Sequence, residues 1–516
     1  MRNILIIMAV AMTFLSTAEA VGQSRGFRLG QWTEIHNAIV KELNRSYVDS
    51  LPVDRIMRAG VDAMLEELDP YTVYIPEEEN EDLQMMLSNT YGGIGAIIHK
   101  TTDSNVIINE PYQDSPASRA GLTCGDEIIS IDGIPTKGLK IKESTDRMKG
   151  KPGTTVVFKV KKVRTGDTLD VPVLRERIHL PDVQYAEMLD DTTGYLLLGG
   201  FTENVSAEVR EAFTMLKDKG MKRFVLDLRG NGGGLMSEAV NIISIFVPKG
   251  TLAVSSKGNT ESSLRKFYTS LEPADTEMPV VVLIDSGSAS ASEIVAGGLQ
   301  DHGRAVIMGT RSYGKGLVQS IRPLPYNGQM KVTTAKYYTP SGRCVQAIDY
   351  SSRNEDGDFT HKDGGITPDV ELKEKEYSRI VYALVLGGVI DQYAMDYSRR
   401  HASLPAVDEF RFGDEDFEDF VRFAKTQDFD HRSSARTHFD QMKKELEKDG
   451  LASSMAEELK ALESALEMDK ERFIRLKKDE IIPFIEEELA TRYWFQKAGI
   501  EVRLRYDNQL KEALGW

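Results

Sequence analysis

Alternating strand and helix signals over residues 185–372, short β-rich segments before them and dense helical periodicity after them predict an α/β protein. The expected architecture is a mixed, largely parallel βαβ core with an inserted β-rich domain and helical N- and C-terminal regions. A length of 516 residues agrees, because a domain takes roughly 150 residues. Hydrophobic residues make up 41% and charged residues 28%, with only 18 Pro, so the chain is globular and wholesale disorder is excluded. Acidic residues outnumber basic ones 80 to 64, giving a net charge of −16 with no basic patch, which argues against nucleic acid as a partner. The 8 His and 2 Cys form no close ligand pair, so neither a metal nor any other cofactor is expected.

Along the chain, Arg2 precedes an apolar run from Ile4 to Leu15 that only Thr13 interrupts, and Ala18-Glu19-Ala20 follows. This is the layout of a signal peptide, residues 1–20, cleaved after Ala20. The run is too short for a membrane span, which needs about 20 apolar residues. Export to the periplasm or the medium is therefore expected, with no stable span; surface association with the membrane is left open. Cys124 and Cys344 are expected to remain separate thiols. Ile35, Ile39 and Leu43, then Ile56, Val61, Met64 and Leu65, repeat at helical spacing and predict a helical region over 26–85.

Residues 88–173 change texture. Tyr91-Gly92-Gly93-Ile94-Gly95 leads into the apolar pair Ile97-Ile98, and Val106 to Ile108 forms a second strand. Ser115 to Leu122 reads as a short helix with Pro at its first turn and Gly at its end. Gly125 to Gly133 reads as a strand and tight turn. In the core, Tyr195–Leu198, Phe224–Leu228, Val280–Ile284 and Ala305–Met308 are strand candidates, and Val209, Ala212, Phe213 and Leu216 line a helix that Gly220 ends. Asn327-Gly328 predicts a type I′ hairpin turn. Over 373–516 the chain is helical. Met455, Leu459, Leu462 and Leu466 form a stripe behind a Ser454–Glu457 capping box, which fits either a buried face or a homo-oligomer contact through the C-terminal helices.

Three strings could carry chemistry. Gly230-Asn231-Gly232-Gly233-Gly234, between a strand and a helix, can present amides to an anion, but Leu235 breaks the dinucleotide pattern. Gly309 to Lys315 fits GxxxxGK, yet Gly316 stands where a phosphate loop needs Ser or Thr. Gly287-Ser288-Ala289-Ser290-Ala291-Ser292-Glu293-Ile294 follows a buried strand and opens a helix, a place where a serine can act as an exposed nucleophile. Such a serine needs a base. Lys315 is one candidate, although its ordinary pKa of about 10.4 would have to be depressed by burial. His302 is the other. Spacing alone does not choose among Ser288, Ser290 and Ser292, since any of them could cap the helix instead.

The segment 88–173 resembles a PDZ domain through its SPASRAGL and GDEIISIDG strings. Such a domain takes up an extended peptide as an added strand, and the resemblance implies a loop of Gly92, Gly93, Ile94 and Gly95 receiving a terminal carboxylate. DLRGNGGG at 227–234, GSASASEI at 287–294, YGKGLVQ at 313–319, YYTPSGR at 337–343 and ITPDV at 366–370 together resemble the tail-specific, or carboxy-terminal processing, serine protease family. That resemblance implies a crotonase/ClpP-like protease core over 185–372 and an endopeptidase acting on proteins or peptides with a free C-terminus. It further implies Ser290 as nucleophile and Lys315 as base. Gln319 would orient the lysine from one helical turn away, because 319 − 315 = 4. The oxyanion would be held by the amide of Ala291 with one from Gly232 or Gly233, while Glu293 and Asp301 would be structural. A non-catalytic peptide-binding or chaperone protein on the same fold, and a crotonase-type acyl-CoA enzyme, are the competing readings.

Overall fold

The computed structural model describes residues 24–515 apart from 101–104, 355–356, 431 and 467–468. The expected signal peptide lies outside the described residues. Contacts divide the chain into two compact units, one up to Tyr74 and one from Ile75 onward. The first contains α1 (Arg25–Ser46), whose first turn is capped by the Ser24 hydroxyl accepting from Phe27 N, and α2 (Val53–Glu66), which buries Leu65.

The second unit begins with α3 (Asn80–Ser88) and enters the PDZ-like segment through β1 (Thr90–Gly93). There β2 (Ala96–Lys100), β3 (Val106–Pro111), β4 (Glu127–Ile131), β5 (Ile134–Pro135), β6 (Thr155–Lys161) and β7 (Thr168–Leu174) build one antiparallel sheet. Its order is β2-β3-β4-β6-β7, with β5 paired to β4, so β2 is an edge strand. The predicted short helix is α4 (Pro116–Arg119), with Ser115 as its cap. A longer helix, α5 (Ile141–Met148), lies against β2. Strand β6 alternates buried and exposed residues, and Val156, Phe158 and Val160 enter a core with Ile108, Leu122, Ile128 and Ile131. β1 pairs with β8 (Glu176–His179) in a separate ribbon.

The core sheet runs β9 (Val183–Met188), β10 (Thr193–Leu198), β11 (Arg223–Asp227), then the later strands β14 (Val280–Ile284), β15 (Val306–Gly309) and β20 (Val370–Glu371). Only the β9–β10 pair is antiparallel. All six residues of β10 are buried, as a strand covered on both faces requires. Helices α6 (Val205–Asp218), α7 (Met236–Phe246) and α8 (Ala291–Asp301) contribute to the same apolar core, where Phe213 meets Phe224 and Phe246 edge-on at 5.1 and 5.4 Å. A second sheet joins β12 (Leu252–Lys257) and β13 (Arg265–Tyr268) to the hairpin of β16 (Leu317–Pro323) and β17 (Gln329–Tyr338). That hairpin is the one expected, but its turn is shifted. The residues with positive φ are Tyr326 and Asn327, because Leu324 N bonds to Gly328 O and closes the loop one residue earlier than an Asn-Gly turn would. A small ribbon, β18 (Ile348–Arg353) with β19 (Phe359–His361), precedes β20.

The C-terminal region is helical: α9 (Arg379–Leu386), α10 (Val389–Arg400), α11 (Asp414–Thr426), α12 (Ser434–Lys448), α13 (Ala456–Leu466), α14 (Lys470–Leu476), α15 (Lys478–Arg505) and α16 (Asn508–Leu514). Tyr393, Phe412, Phe417 and Phe420 centre its core. The expected stripe is only partly buried: Leu459 is 6% exposed, but Met455 and Leu462 are 40% and 43%. Nor does Ser454 form the expected capping box. A 3-10 turn occupies Ala452–Met455, and the Ser454 hydroxyl donates back to Leu451 O. Helix α15 is broken at Trp494 and Phe495, where Phe495 takes φ +67° and the freed Gln496 N–H donates to Glu110 Oε1 of β3 at 2.9 Å. Helix α16 then returns to the core sheet, burying Leu510 and Ala513 among Tyr195, Val225 and Leu283. Among the described residues no helix is long and apolar enough to cross a membrane.

Candidate active site

Strand β14, a six-residue turn and α8 form a strand–turn–helix in which the turn is fixed by its own residues. Asp285 Oδ1 accepts from Gly287 N and Ser288 N at 2.9 and 3.0 Å, a local turn that the Asp-Ser-Gly-Ser order favours. The three serines then separate by environment. Ser288 is fully buried and donates its hydroxyl to Leu228 O at 2.8 Å; Ser292, also fully buried, donates to Asn231 O at 2.8 Å. Ser290 is half-buried, takes φ +57° and ψ −112°, and lines a cleft of about 570 Å³. A non-glycine residue in that conformation costs about 1–3 kcal/mol and persists only where its surroundings impose it.

The imposing group is Glu293. Fully buried, it accepts from Ser290 N at 2.8 Å, Ser312 Oγ at 2.6 Å, Gly314 N at 2.7 Å and Lys315 N at 2.9 Å. One carboxylate therefore joins the serine turn to the lysine loop. Burial pushes its pKa up, against the opposing pull of these donors. A second brace is the fully buried Tyr337, whose hydroxyl lies 2.9 Å from Ser290 O and 2.7 Å from Lys315 O. Lys315 is half-buried and lines the same cleft as Ser290.

The glycine string closes the third side. Asn231 Nδ2 donates to Leu198 O at 2.7 Å, and Asn231 O receives Ala289 N at 3.0 Å. Gly233 sits so close to the turn that a Cβ there would lie 2.6 Å from Ala289 O, 2.7 Å from Ser290 Cβ and 2.8 Å from Ala291 N. Its own N–H donates to Asn231 Oδ1 at 2.9 Å. Gly232 also lines the cleft. Ala291 is the first residue of α8, so its N–H has no acceptor within the helix.

Other expectations fall differently. Gln319 lines the cleft but lies on strand β16, so no helical turn links it to Lys315; its Nε2 donates to Thr333 Oγ1 at 3.3 Å across the hairpin. The loop after Gly309 runs into a strand rather than the helix of a phosphate loop. His302 caps the far end of α8, about 18 Å of helix from Ser290, and its Nε2 lies 2.7 Å from Leu252 O. Asp301, at the same end, accepts from Ser341 N at 2.8 Å and pairs with Arg343 at 2.5 Å. The expected carboxylate loop is half strand: Gly92 and Gly93 belong to β1 and pair with Arg177 and Glu176, Ile94 is buried, and the chain turns only at Gly95. Cys124 and Cys344 are free thiols. Sequence reasoning did not single out Tyr337 or the side chain of Asn231. Both stand inside motif strings, YYTPSGR and DLRGNGGG, yet nothing in a tyrosine pair or a glycine run says which polar group braces the turn.

Comparison with known proteins fits this arrangement. Residues 192–372 match "Peptidase family S41", residues 107–162 match a PDZ domain, and residues 380–516 match "Probable PDZ-protease, C-terminal helical domain". A carboxy-terminal-processing protease of Bartonella bacilliformis is 36% identical over 341 residues, 65% of this chain and 74% of the relative. A probable CtpA-like serine protease of Staphylococcus aureus is 33% identical over 344 residues, 66% of this chain and 65% of that relative, so just under two thirds of its length is spanned. The solved photosystem II D1 C-terminal processing protease is 26% identical with a TM-score of 0.37, over 64% of this chain and 91% of that one. The chain belongs to the carboxy-terminal-processing serine proteases of peptidase family S41, with a PDZ domain and a C-terminal helical domain.

Proposed function

We propose that the protein is an exported serine endopeptidase that captures free C-terminal tails through its PDZ domain and cleaves the adjoining chain through an acyl-enzyme on Ser290. The observation that carries this reading is the strained φ +57° of Ser290 on the cleft wall, while Ser288 and Ser292 are sealed by hydrogen bonds to main-chain carbonyls. Neutral Lys315 takes the Ser290 proton as Oγ attacks the scissile carbonyl, passes it to the leaving amine, and then activates the water that releases the acyl group. Gln319 orients the lysine from β16. The tetrahedral oxygen is held by the amides of Ala291 and Gly232, since that of Gly233 already serves Asn231. Leu87, Phe201, Leu235 and Leu317 make much of the cleft apolar, which suits an uncharged side chain beside the scissile bond.

The PDZ edge strand β2 offers the row along which a tail would add, with its carboxylate at the turn beside Gly95. Export rests on the apolar run Ile4–Leu15 and the Ala18-Glu19-Ala20 pattern. Incubation with unfolded casein tests the whole reading: the parent chain cleaves it and Ser290→Ala does not, at unchanged melting temperature. Cleavage by Ser290→Ala at the parent rate would end the assignment.

A further inference from the structure

The glycine string that lines the cleft is soft, because glycines contribute little stiffness of their own. Its geometry must come from anchors. At its exit, Leu235 N donates to Phe201 O at 2.7 Å, and within it Gly230 N donates to Asp285 Oδ1 at 2.8 Å. At its entry stands Arg229, whose Nε lies 3.0 Å from Asp227 Oδ1. Asp227 ends β11, is 1% exposed, and also accepts the Tyr195 hydroxyl at 2.7 Å. Arg229 Nη2 also donates to Asp227 Oδ2, and the two outer nitrogens reach beyond the protease core as well. Nη2 lies 2.5 Å from Oδ2 of Asp507, the cap of α16, and Nη1 2.9 Å from Oε1 of Gln509 within that helix.

The C-terminal helical domain thus grips the residue next to the glycine string. Asp507 does two things at once, since its Oδ1 also accepts Leu510 N at 2.9 Å and caps α16. Helix α16 is itself fixed to the core: Arg223 Nη1 donates to Leu514 O at 2.7 Å, and Gln509 Nε2 to Leu372 O at 3.1 Å. A charged arginine held between two carboxylates and seated on a docked helix is a stiff support for a flexible loop.

We propose that Asp507 is a positioning residue for the reaction, fixing the glycine string through Arg229 so that the Gly232 amide faces the developing oxyanion. The proposal rests on the Ser290 reading above. It gives the cap of the last helix of the helical domain, outside residues 192–372 that match peptidase family S41, a part in catalysis.

The test is Asp507→Asn in the full chain. Asparagine caps a helix as well as aspartate does, so α16 keeps its cap while Arg229 loses its second carboxylate. The expected result is a kcat lower by about tenfold, short of the ~100-fold or more of removing an oxyanion donor. KM and the shape of the pH–rate profile stay as in the parent, because neither the binding surface nor Lys315 is touched; the melting temperature falls, because a largely buried ion pair has lost one carboxylate, and both rates are compared well below it. Affinity for a peptide boronate, which mimics the tetrahedral adduct, falls by the same factor as kcat. In an Arg229→Gln background Asp507→Asn adds nothing. A parental kcat and boronate affinity in Asp507→Asn would overturn the proposal, as would effects of the two substitutions that simply multiply. Ser290→Ala run alongside keeps the two readings apart: if it still cleaves, the nucleophile reading fails and this inference with it, whereas an inactive Ser290→Ala beside a parental Asp507→Asn removes the Asp507 role alone.

Discussion

Two glycine strings of similar appearance, Gly92 to Gly95 and Gly230 to Gly234, occupy unlike places. In the first, Gly92 and Gly93 are strand residues, and Gly92 is required because a Cβ would lie 2.2 Å from Gly150 O. In the second, the chain forms no strand, and Gly233 combines φ +94° with contact against the serine turn. One string lets two main-chain segments of the PDZ domain pass close together. The other lets a loop lie directly on Ser290. A glycine run therefore marks close approach in both, and only the partner tells which approach concerns chemistry.

The largest expected effect tests whether the second string faces a Ser/Lys pair at all. Lys315→Arg and Lys315→Ala should lose cleavage of casein to the same degree, a fall of at least about 100-fold, since a guanidinium cannot act as the base. Gln319→Ala should fall less. An active Lys315→Arg would leave the glycine string beside a serine with some other base.

Next in size is Gly233→Ala. Its Cβ would press on Ala289 O, Ser290 Cβ and Ala291 N in a conformation that L-residues avoid, so the serine turn must shift. A displacement near 1 Å costs about 100-fold in rate. Turnover of a short peptide and labelling of Ser290 by a fluorophosphonate should both collapse while the protein stays folded. Gly92→Ala is the counterpart. The clash with Gly150 O should destabilise the PDZ domain by about 1–3 kcal/mol, as overpacking does, and leave turnover of a short untailed peptide within about threefold of the parent, because nothing at the serine turn moves. If Gly92→Ala silenced that peptide as Gly233→Ala does, the distinction between the strings would fail.

Much of this organisation was legible in sequence because it follows from short-range rules. The core strands have continuous apolar runs, α4 carries its own serine cap and proline, and the serine turn is written in the order of its small residues. Gln319 was misplaced on a helical turn because a spacing of four fits a helix, whereas the pairing of Gln319 with Thr333 that makes it a strand depends on a hairpin partner. The bracing of the site was out of reach for the same reason. Glu293 meets Gly314 and Lys315, Tyr337 meets Ser290, and Asp507 meets Arg229 across sequence distances over which no pattern repeats.

The smallest expected effect concerns how the PDZ domain is held. Glu110 of β3, 4% exposed, accepts Gln496 N where α15 breaks, and burial pushes its pKa from 4.5 up to about 7, with Glu488 nearby adding to the rise. The facing groups are those of one cluster: Arg492 pairs with Asp391 and with Glu488 at 3.1 Å and touches Cys124, and His99 Nε2 lies 3.3 Å from Asp391. Between pH 4.5 and 7 the folded protein holds a proton on Glu110 that the unfolded chain has released. Stability from this group is therefore greatest at the acid side of that window and declines as pH rises to about 7, beyond which the cost stays constant. Glu110→Gln keeps an acceptor for Gln496 and cannot ionise. Its melting temperature should exceed that of the parent at pH 8 and match it at pH 4.5, a convergence that cancels the titration of the neighbouring groups. A constant offset between the two proteins across the window would show that Glu110 is not titrating there, and that the PDZ contact depends on packing rather than on its charge.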